Sequence, residues 1–131
     1  MRELTSCSGP WLGQSIQDGL RITENITLTF HGSNFLGNGS DKDGLFNLDG
    51  EYDEGDDGVM MTRVYTYSPQ SPGHVGYPYI YVGKWDGHQI HGRWMMSTHP
   101  GYSGPLEMWP EDEESLQERM INLEEEPILS R

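Results

Sequence analysis

The residues of this chain best suited to chemistry are one arginine and a group of tyrosines. In the segment Val59–Tyr65, strand alternation places Val59, Met61, Arg63 and Tyr65 on one face. If that face points inward, Arg63 is a buried cation, and burying it unpaired would cost several kcal/mol. Arg63 must then meet an acid, carbonyl groups, aromatic faces or an anionic ligand.

Two roles for Arg63 fit this expectation, and both stay open. The role is structural if the guanidinium stacks on Trp11 or Trp94, because cation–π stacking stabilises a buried arginine. It is functional if a ligand directs a polar or anionic group to Arg63. For that second role, the predicted ligand-binding residues are Arg63, Tyr65, Tyr79, Tyr81, Trp94, Trp11 and Met108.

Tyrosines are dense in the same region, at Tyr65, Tyr67, Tyr77, Tyr79 and Tyr81. The last three share one face of the next predicted strand. Tyrosine offers a rigid flat wall with a hydroxyl at its tip, which suits a ligand cavity. High β-propensity alone also favours tyrosine in strands.

Histidines give candidates for acid–base chemistry but not for metal binding. His88 and His91 are three residues apart on a predicted strand, so they face opposite sides and cannot chelate one metal. His74 and His99 lie in two Pro/Gly loops, where they either flank one barrel mouth or are simply solvated. If the protein is an enzyme, the candidate catalytic residues are Tyr79, Tyr81 and His74.

No cofactor or metal motif is present in the sequence. There is no His-Glu-x-x-His or cysteine-pair spacing of the zinc type. An acidic run begins at Asp41, but Tyr52 stands at the twelfth position, where a calcium loop needs a bidentate Glu. The glycines of Gly37-Asn38-Gly39 lack the helix that a dinucleotide site requires. The sequence therefore predicts neither a cofactor nor a metal.

The elements that would position these residues are eight short strands separated by turn signals. Most turns are short, which favours a closed, antiparallel, up-and-down β-barrel without exposed edges. A two-sheet sandwich is the alternative all-β fold. The predicted strands are Trp11–Ile16, Asn25–His31, Asn34–Asp41, Leu45–Asp53, Val59–Tyr67, Tyr77–Trp85, His88–Met96 and Gly104–Trp109.

The predicted barrel domain covers residues 9–110, and an acidic segment, residues 111–131, follows it. Pro110 ends the last strand, and Glu111–Leu123 has the composition of a short amphipathic helix. A disordered acidic tail is the other interpretation of this segment.

Charge and cysteine content limit the possible partners and the location. The net charge of −13 repels phosphate backbones and anionic lipid, so we expect no binding to nucleic acid or membranes. The chain has a single cysteine, Cys7, and shows neither a signal segment nor an apolar run long enough to span a membrane. These features favour a cytoplasmic protein.

Glycine and aromatic residues recur together along the strands. The pattern begins with Gly9-Pro10-Trp11-Leu12-Gly13, continues through Gly50-Glu51-Tyr52 and Ile90-His91-Gly92-Arg93-Trp94, and closes with Gly104-Pro105-Leu106-Glu107-Met108-Trp109-Pro110. It resembles a family of small calycin-like (lipocalin/avidin-like) barrels, found as stand-alone bacterial proteins and as the substrate-binding domain of certain F-box proteins. The segment Ser68–His74 departs from that pattern and lengthens one barrel mouth, where specificity varies.

Three functions follow from these observations. The first is a module that binds a small organic molecule or a peptide terminus in an aromatic, Arg-bearing cavity. The second is a barrel-cavity enzyme that folds its substrate for cyclisation or isomerisation. The third is an inhibitor or immunity-type protein whose acidic surface covers a basic protein partner.

Overall fold

The computed structural model of the protein describes residues 2–112 together with Glu114 and Gln117. Within these residues, eight antiparallel strands form a closed barrel in chain order, and the last strand pairs with the first. The strands are β1 Gly9–Gln17, β2 Leu20–His31, β3 Asn34–Asp41, β4 Gly44–Asp53, β5 Gly58–Tyr67, β6 Pro78–Trp85, β7 Ile90–Met96 and β8 His99–Pro110. The predicted up-and-down barrel is confirmed, and the sandwich alternative is wrong.

Several strand boundaries differ from those predicted. β2 begins at Leu20 rather than at Asn25, because its pairing with β1 continues up to the two-residue turn. β8 begins at His99, which pairs with Met96, so the prediction that His99 lies in a loop is wrong. Pro100 and Gly101, which suggested a loop, lie at a shift in register between the Met96–His99 and Met95–Ser103 pairs. Tyr77 precedes β6 and is exposed.

The predicted helix or tail after Pro110 falls on residues 111–131. Most of these lie outside the described residues, so this expectation stays a prediction.

One end of the barrel is covered by the segment that precedes β1, residues 2–8, which we call the N-terminal plug. A short 3-10 turn, Leu4–Ser6, places the Leu4 side chain inside the barrel with no exposed surface. Two indoles fix the plug to the wall. The Trp85 Nε1 donates to the Arg2 carbonyl at 2.8 Å, and the Trp11 Nε1 donates to the Cys7 carbonyl at 2.7 Å.

Two glycines of β3 let bulky side chains fill the narrow interior. A Cβ at Gly39 would lie 2.4 Å from the Asn25 carbonyl oxygen and 2.7 Å from the Phe46 ring. A Cβ at Gly37 would lie 2.6 Å from a methyl group of Leu28. Any side chain at either position would therefore clash with its neighbours, so both positions require glycine.

We expect the N-terminal plug to be an integral part of the core. Leu4→Ala should lower the free energy of unfolding by about 3 kcal/mol, because it leaves a cavity among buried side chains. The measurement is urea denaturation followed by tryptophan fluorescence. The matched control is Leu20→Ala, since Leu20 is exposed and its truncation should change stability by less than about 0.5 kcal/mol. Equal losses in the two variants would contradict an integral plug.

Candidate functional site

A recess opens at the barrel end opposite the N-terminal plug, beneath the β1–β2 and β3–β4 turns and the long β5–β6 loop. Its cavity volume is about 30 Å³. That is enough for one or two water molecules, and far below the roughly 300 Å³ or more of a pocket that encloses a whole ligand. Polar and aromatic side chains line this mouth recess, among them Glu24, Asp41, Asp43, Arg63, Tyr79 and Trp94.

The floor of the mouth recess is a buried ion pair between Arg63 of β5 and Glu24 of β2. The Arg63 Nη1 donates to Glu24 Oε1 at 2.9 Å, and the Nη2 donates to Glu24 Oε2 at 2.5 Å. Each side chain is 1% exposed. Because β2 and β5 are not neighbours in the sheet, the pair crosses the barrel interior. The two-pronged geometry is the strongest form of this contact.

Other groups surround the guanidinium, although its Nε has no hydrogen-bond partner among the described residues. The Asp41 carboxylate lies 3.5 Å from Arg63 Nη1 and accepts a hydrogen bond from the Tyr65 hydroxyl. The Arg63 Cζ lies 3.6 Å from the centre of the Phe46 ring and 4.6 Å from that of Tyr81. The expected cation–π stacking therefore exists, but its partners are Phe46 and Tyr81 rather than Trp11 or Trp94.

Burial and charge shift the pKa values of this cluster in consistent directions. Desolvation lowers the pKa of Arg63, but the charge and hydrogen bonds of the Glu24 carboxylate act in the opposite direction, and the pKa lies above its ordinary value. Burial raises the pKa of Tyr65, and it raises the pKa of Tyr81 well above the usual range. At neutral pH the cluster therefore holds a charged Arg63 between uncharged tyrosines.

Four aromatic rings contact one another in succession at the mouth, and three of them, Tyr65, Tyr79 and Trp94, line the recess. The ring centres are 5.9 Å apart for Tyr65 and Tyr79, 6.2 Å for Tyr79 and Trp94, and 5.1 Å for Trp94 and Tyr102. We call these four residues the aromatic arc. His74, from the long loop, places its Nδ1 3.5 Å from the Tyr79 hydroxyl oxygen.

The structure gathers most of the predicted site residues but separates two of them. Arg63, Tyr65, Tyr79, Tyr81, Trp94 and His74 all line the mouth recess. Trp11 and Met108 do not: both are fully buried, and Trp11 contacts Trp85 near the N-terminal plug. Their inclusion in the ligand-binding set stays a prediction that no contact with the recess supports.

Glu24, Asp41 and Tyr102 are site residues that the sequence reasoning missed. Glu24 had a signal: it shares a face with Ile22 and Ile26, and a lone acid on an apolar face needs a buried cation. The predicted β2 began one residue too late to include it. Tyr102 was missed because its segment was assigned to a loop.

Within residues 2–112, 114 and 117, no three or more His, Cys, Asp or Glu side chains are placed to hold a metal ion. The same part of the chain contains no helix with the length and apolarity needed to cross a membrane.

Fold and site together define the class of protein: a closed eight-stranded antiparallel β-barrel, plugged at one end and carrying a polar, aromatic-walled recess at the other. In comparisons with known proteins, no family model, no curated protein and no solved structure matches this chain.

The buried ion pair yields a stability prediction. Arg63→Met should lower the free energy of unfolding by about 3–5 kcal/mol, because it leaves Glu24 and Asp41 in the core without their cation. Chemical denaturation measures the loss. The matched control is Arg21→Met, which removes an exposed cation of β2 and should cost less than about 1 kcal/mol.

The double variant Glu24→Gln with Arg63→Met separates the charge effect from the packing effect. It should be more stable than Arg63→Met alone, since fewer uncompensated charges remain buried. A double variant that shows the simple sum of both losses would contradict this account of the pair.

The buried tyrosines predict a loss of stability in alkali. In the unfolded chain Tyr81 ionises near pH 10, whereas in the folded barrel burial raises its pKa well above that value. The folded state then holds the proton that the unfolded state releases, so stability is full below pH 10 and falls as the pH rises further. Each such tyrosine should contribute about 1.4 kcal/mol per pH unit.

Tyr81→Phe removes one titrating hydroxyl and should reduce this alkaline loss. Denaturation curves from pH 7 to pH 11 measure the slope for the wild type and the variant. Packing differences between the two proteins appear already at pH 7, so the change with pH isolates the hydroxyl. Identical slopes in the two proteins would contradict the assignment.

Proposed function

We propose that this protein is a binding module that holds the polar tip of a small organic molecule or peptide terminus in the mouth recess. The observation that carries the proposal is the composition of that recess: charged and aromatic side chains line a small opening at the end of a barrel that is otherwise apolar inside. Ligand sites combine an apolar or aromatic wall with a few fixed polar groups in this way.

The size of the recess limits what enters it. A volume of about 30 Å³ admits a group of one or two heavy atoms, so the body of the ligand must lie outside, among the mouth loops. His74 and Asp43, both lining residues, belong to those loops. This arrangement favours a ligand with a narrow terminal group, such as a chain end.

In this proposal Arg63 does not bind an anionic group of the ligand. Both prongs of its guanidinium already meet Glu24, and Asp41 lies beside it. Its contribution is to fix the shape and the charge of the recess floor. We therefore assign recognition to the groups that surround Arg63 rather than to its guanidinium.

A second candidate function, an enzyme, is supported by one contact. His74 Nδ1 lies 3.5 Å from the Tyr79 hydroxyl oxygen, a pair able to relay a proton at the mouth. His74→Ala should abolish turnover and leave binding intact if this function holds.

The third hypothesis, an inhibitor of a basic protein, rests only on the net charge of −13 and predicts binding that weakens strongly with salt.

Kinship and location are part of the proposal as well. The closed eight-stranded barrel is compatible with the calycin-like family, and the recurring glycine and aromatic residues support that kinship. The single cysteine supports a cytoplasmic location.

Filling the recess should abolish binding without unfolding the barrel. Ser15 is buried and lines the recess, so Ser15→Leu places an isobutyl group in the available space. We expect a mixture of small polar fragments to shift the indole NMR signal of Trp94 in the wild type and not in this variant. Thr29→Leu, on the outer face of β2, is the matched control and should respond as the wild type does.

The same titration tests the function itself. A wild-type protein that shows no shift at the recess with any fragment at millimolar concentration would overturn the proposed binding function. So would a Ser15→Leu variant that is folded and responds unchanged.

A further inference from the structure

We infer that the group accepted by the mouth recess is a primary alkylammonium, the cationic end of an amine. This inference rests on the proposed function and names the chemical class of its ligand. Three properties of the described residues carry it: the charge of the lining, the aromatic arc and the size of the recess.

The charge of the lining favours a cation. Three carboxylates line the recess, those of Glu24, Asp41 and Asp43, against one guanidinium, Arg63. Lys42, which lies outside the lining, pairs with Asp43 at 3.1 Å, so three carboxylates face two cations and one negative charge is in excess. An incoming anion would meet that excess and find the prongs of Arg63 already occupied by Glu24. An ammonium group would meet a favourable potential, which the net charge of −13 strengthens at long range.

The aromatic arc is the second property. Phe46 and Tyr81 already stack on Arg63. The rings of Tyr65, Tyr79 and Trp94 also line the recess. Aromatic faces attract ammonium groups through the ring quadrupole, by about 2 kcal/mol or more when the cation is desolvated. The same faces give no comparable gain to a carboxylate. The aromatic wall therefore favours a cation over an anion, as the charge of the lining does.

The size of the recess is the third property. An ammonium group is about as large as a water molecule, so a cavity of about 30 Å³ admits it. Its N–H groups are donors, and the carboxylate oxygens of the lining are acceptors. The alkyl stem would then pass along the aromatic arc towards solvent.

Three probes of equal length and different charge test the ligand class: n-butylammonium, n-butanol and butyrate. NMR titration follows the indole signal of Trp94 and the amide signals of β1. We expect n-butylammonium to bind at least about tenfold more tightly than either of the other two. Butyrate or n-butanol binding at the recess as tightly would overturn the inference while leaving the binding function in place. Failure of all three would overturn the inference, and the fragment mixture would then decide on the binding function.

Asp43→Asn tests the role of the charge at the mouth. Its backbone contacts, the Asp43 N–H to Asp41 and the Ser68 hydroxyl to the Asp43 carbonyl, survive the change, whereas its ion pair with Lys42 becomes a contact with a neutral amide. We expect n-butylammonium to bind about fivefold more weakly, since one charge near contact distance in a wet site changes the free energy by about 1 kcal/mol. Binding of n-butanol should not change.

The matched control is Asp49→Asn, which removes the same charge from the outer face of β4. It alters the net charge equally but lies away from the recess. If both variants weaken n-butylammonium to the same extent, only the overall charge acts, and the recess is not an ammonium site.

Two substitutions of Tyr79 separate the contribution of its ring from that of its hydroxyl. Tyr79→Phe keeps the aromatic face and should retain n-butylammonium binding, whereas Tyr79→Leu should lose most of it. Equal affinity in the two variants would contradict a cation–π contribution.

A second experiment with tri-alanine amide, which carries an α-ammonium, distinguishes a peptide N-terminus from a small amine as the source of the ammonium group. Tighter binding than n-butylammonium assigns a peptide N-terminus, and weaker binding assigns a small amine.

Discussion

The Glu24–Arg63 ion pair is the contact on which the arrangement of this barrel depends. Removing two charges from water costs several kcal/mol for each ion, and only good geometry with further polar and aromatic contacts offsets that cost. Here the contacts come from many directions. β1 contributes Ser15, β3 contributes Asp41, β4 contributes Phe46 and β6 contributes Tyr81, in addition to the pair from β2 and β5. The pair therefore needs six strands of the closed barrel in register, and no smaller part of the fold provides its surroundings.

The two ends of the barrel differ in the groups that they bury and in how these groups are covered. At the plugged end the N-terminal segment supplies Leu4, and the indole N–H groups of Trp11 and Trp85 find backbone acceptors in the plug. Phe30 and Tyr52 pack against the core there and are partly buried. At the mouth the strands end in turns and in a long loop, and a small recess adjoins the buried charged cluster. A chain with only 34% hydrophobic residues fills its core with large aromatic rings at both ends and leaves a small polar recess at the mouth.

The partners of Arg63 determine which ligand charge the mouth recess favours. An unpaired arginine in a cavity favours an anionic ligand, because the guanidinium needs an acceptor. In this barrel Glu24 and Asp41 supply those acceptors from within the fold. The excess charge of the lining is then negative, and the preference of the site reverses. The ligand charge that a site favours thus depends on the partners of its buried arginine as much as on the arginine itself.

Strand alternation and turn signals together predicted the eight strands and the closed barrel. Alternation also placed Arg63 with Tyr65, and Tyr79 with Tyr81, on shared faces that the structure turns inward, because side chains alternate with a period of two in any strand. Alternation does not give height along the barrel axis. It could not tell that Trp11 and Met108 lie buried away from the mouth while Trp94 lies at the mouth, since height depends on the register between strands. Nor could it pair Glu24 with Arg63, 39 residues apart, because only closure of the sheet brings β2 across from β5. The tertiary structure decided those distances, and with them the charge of the recess.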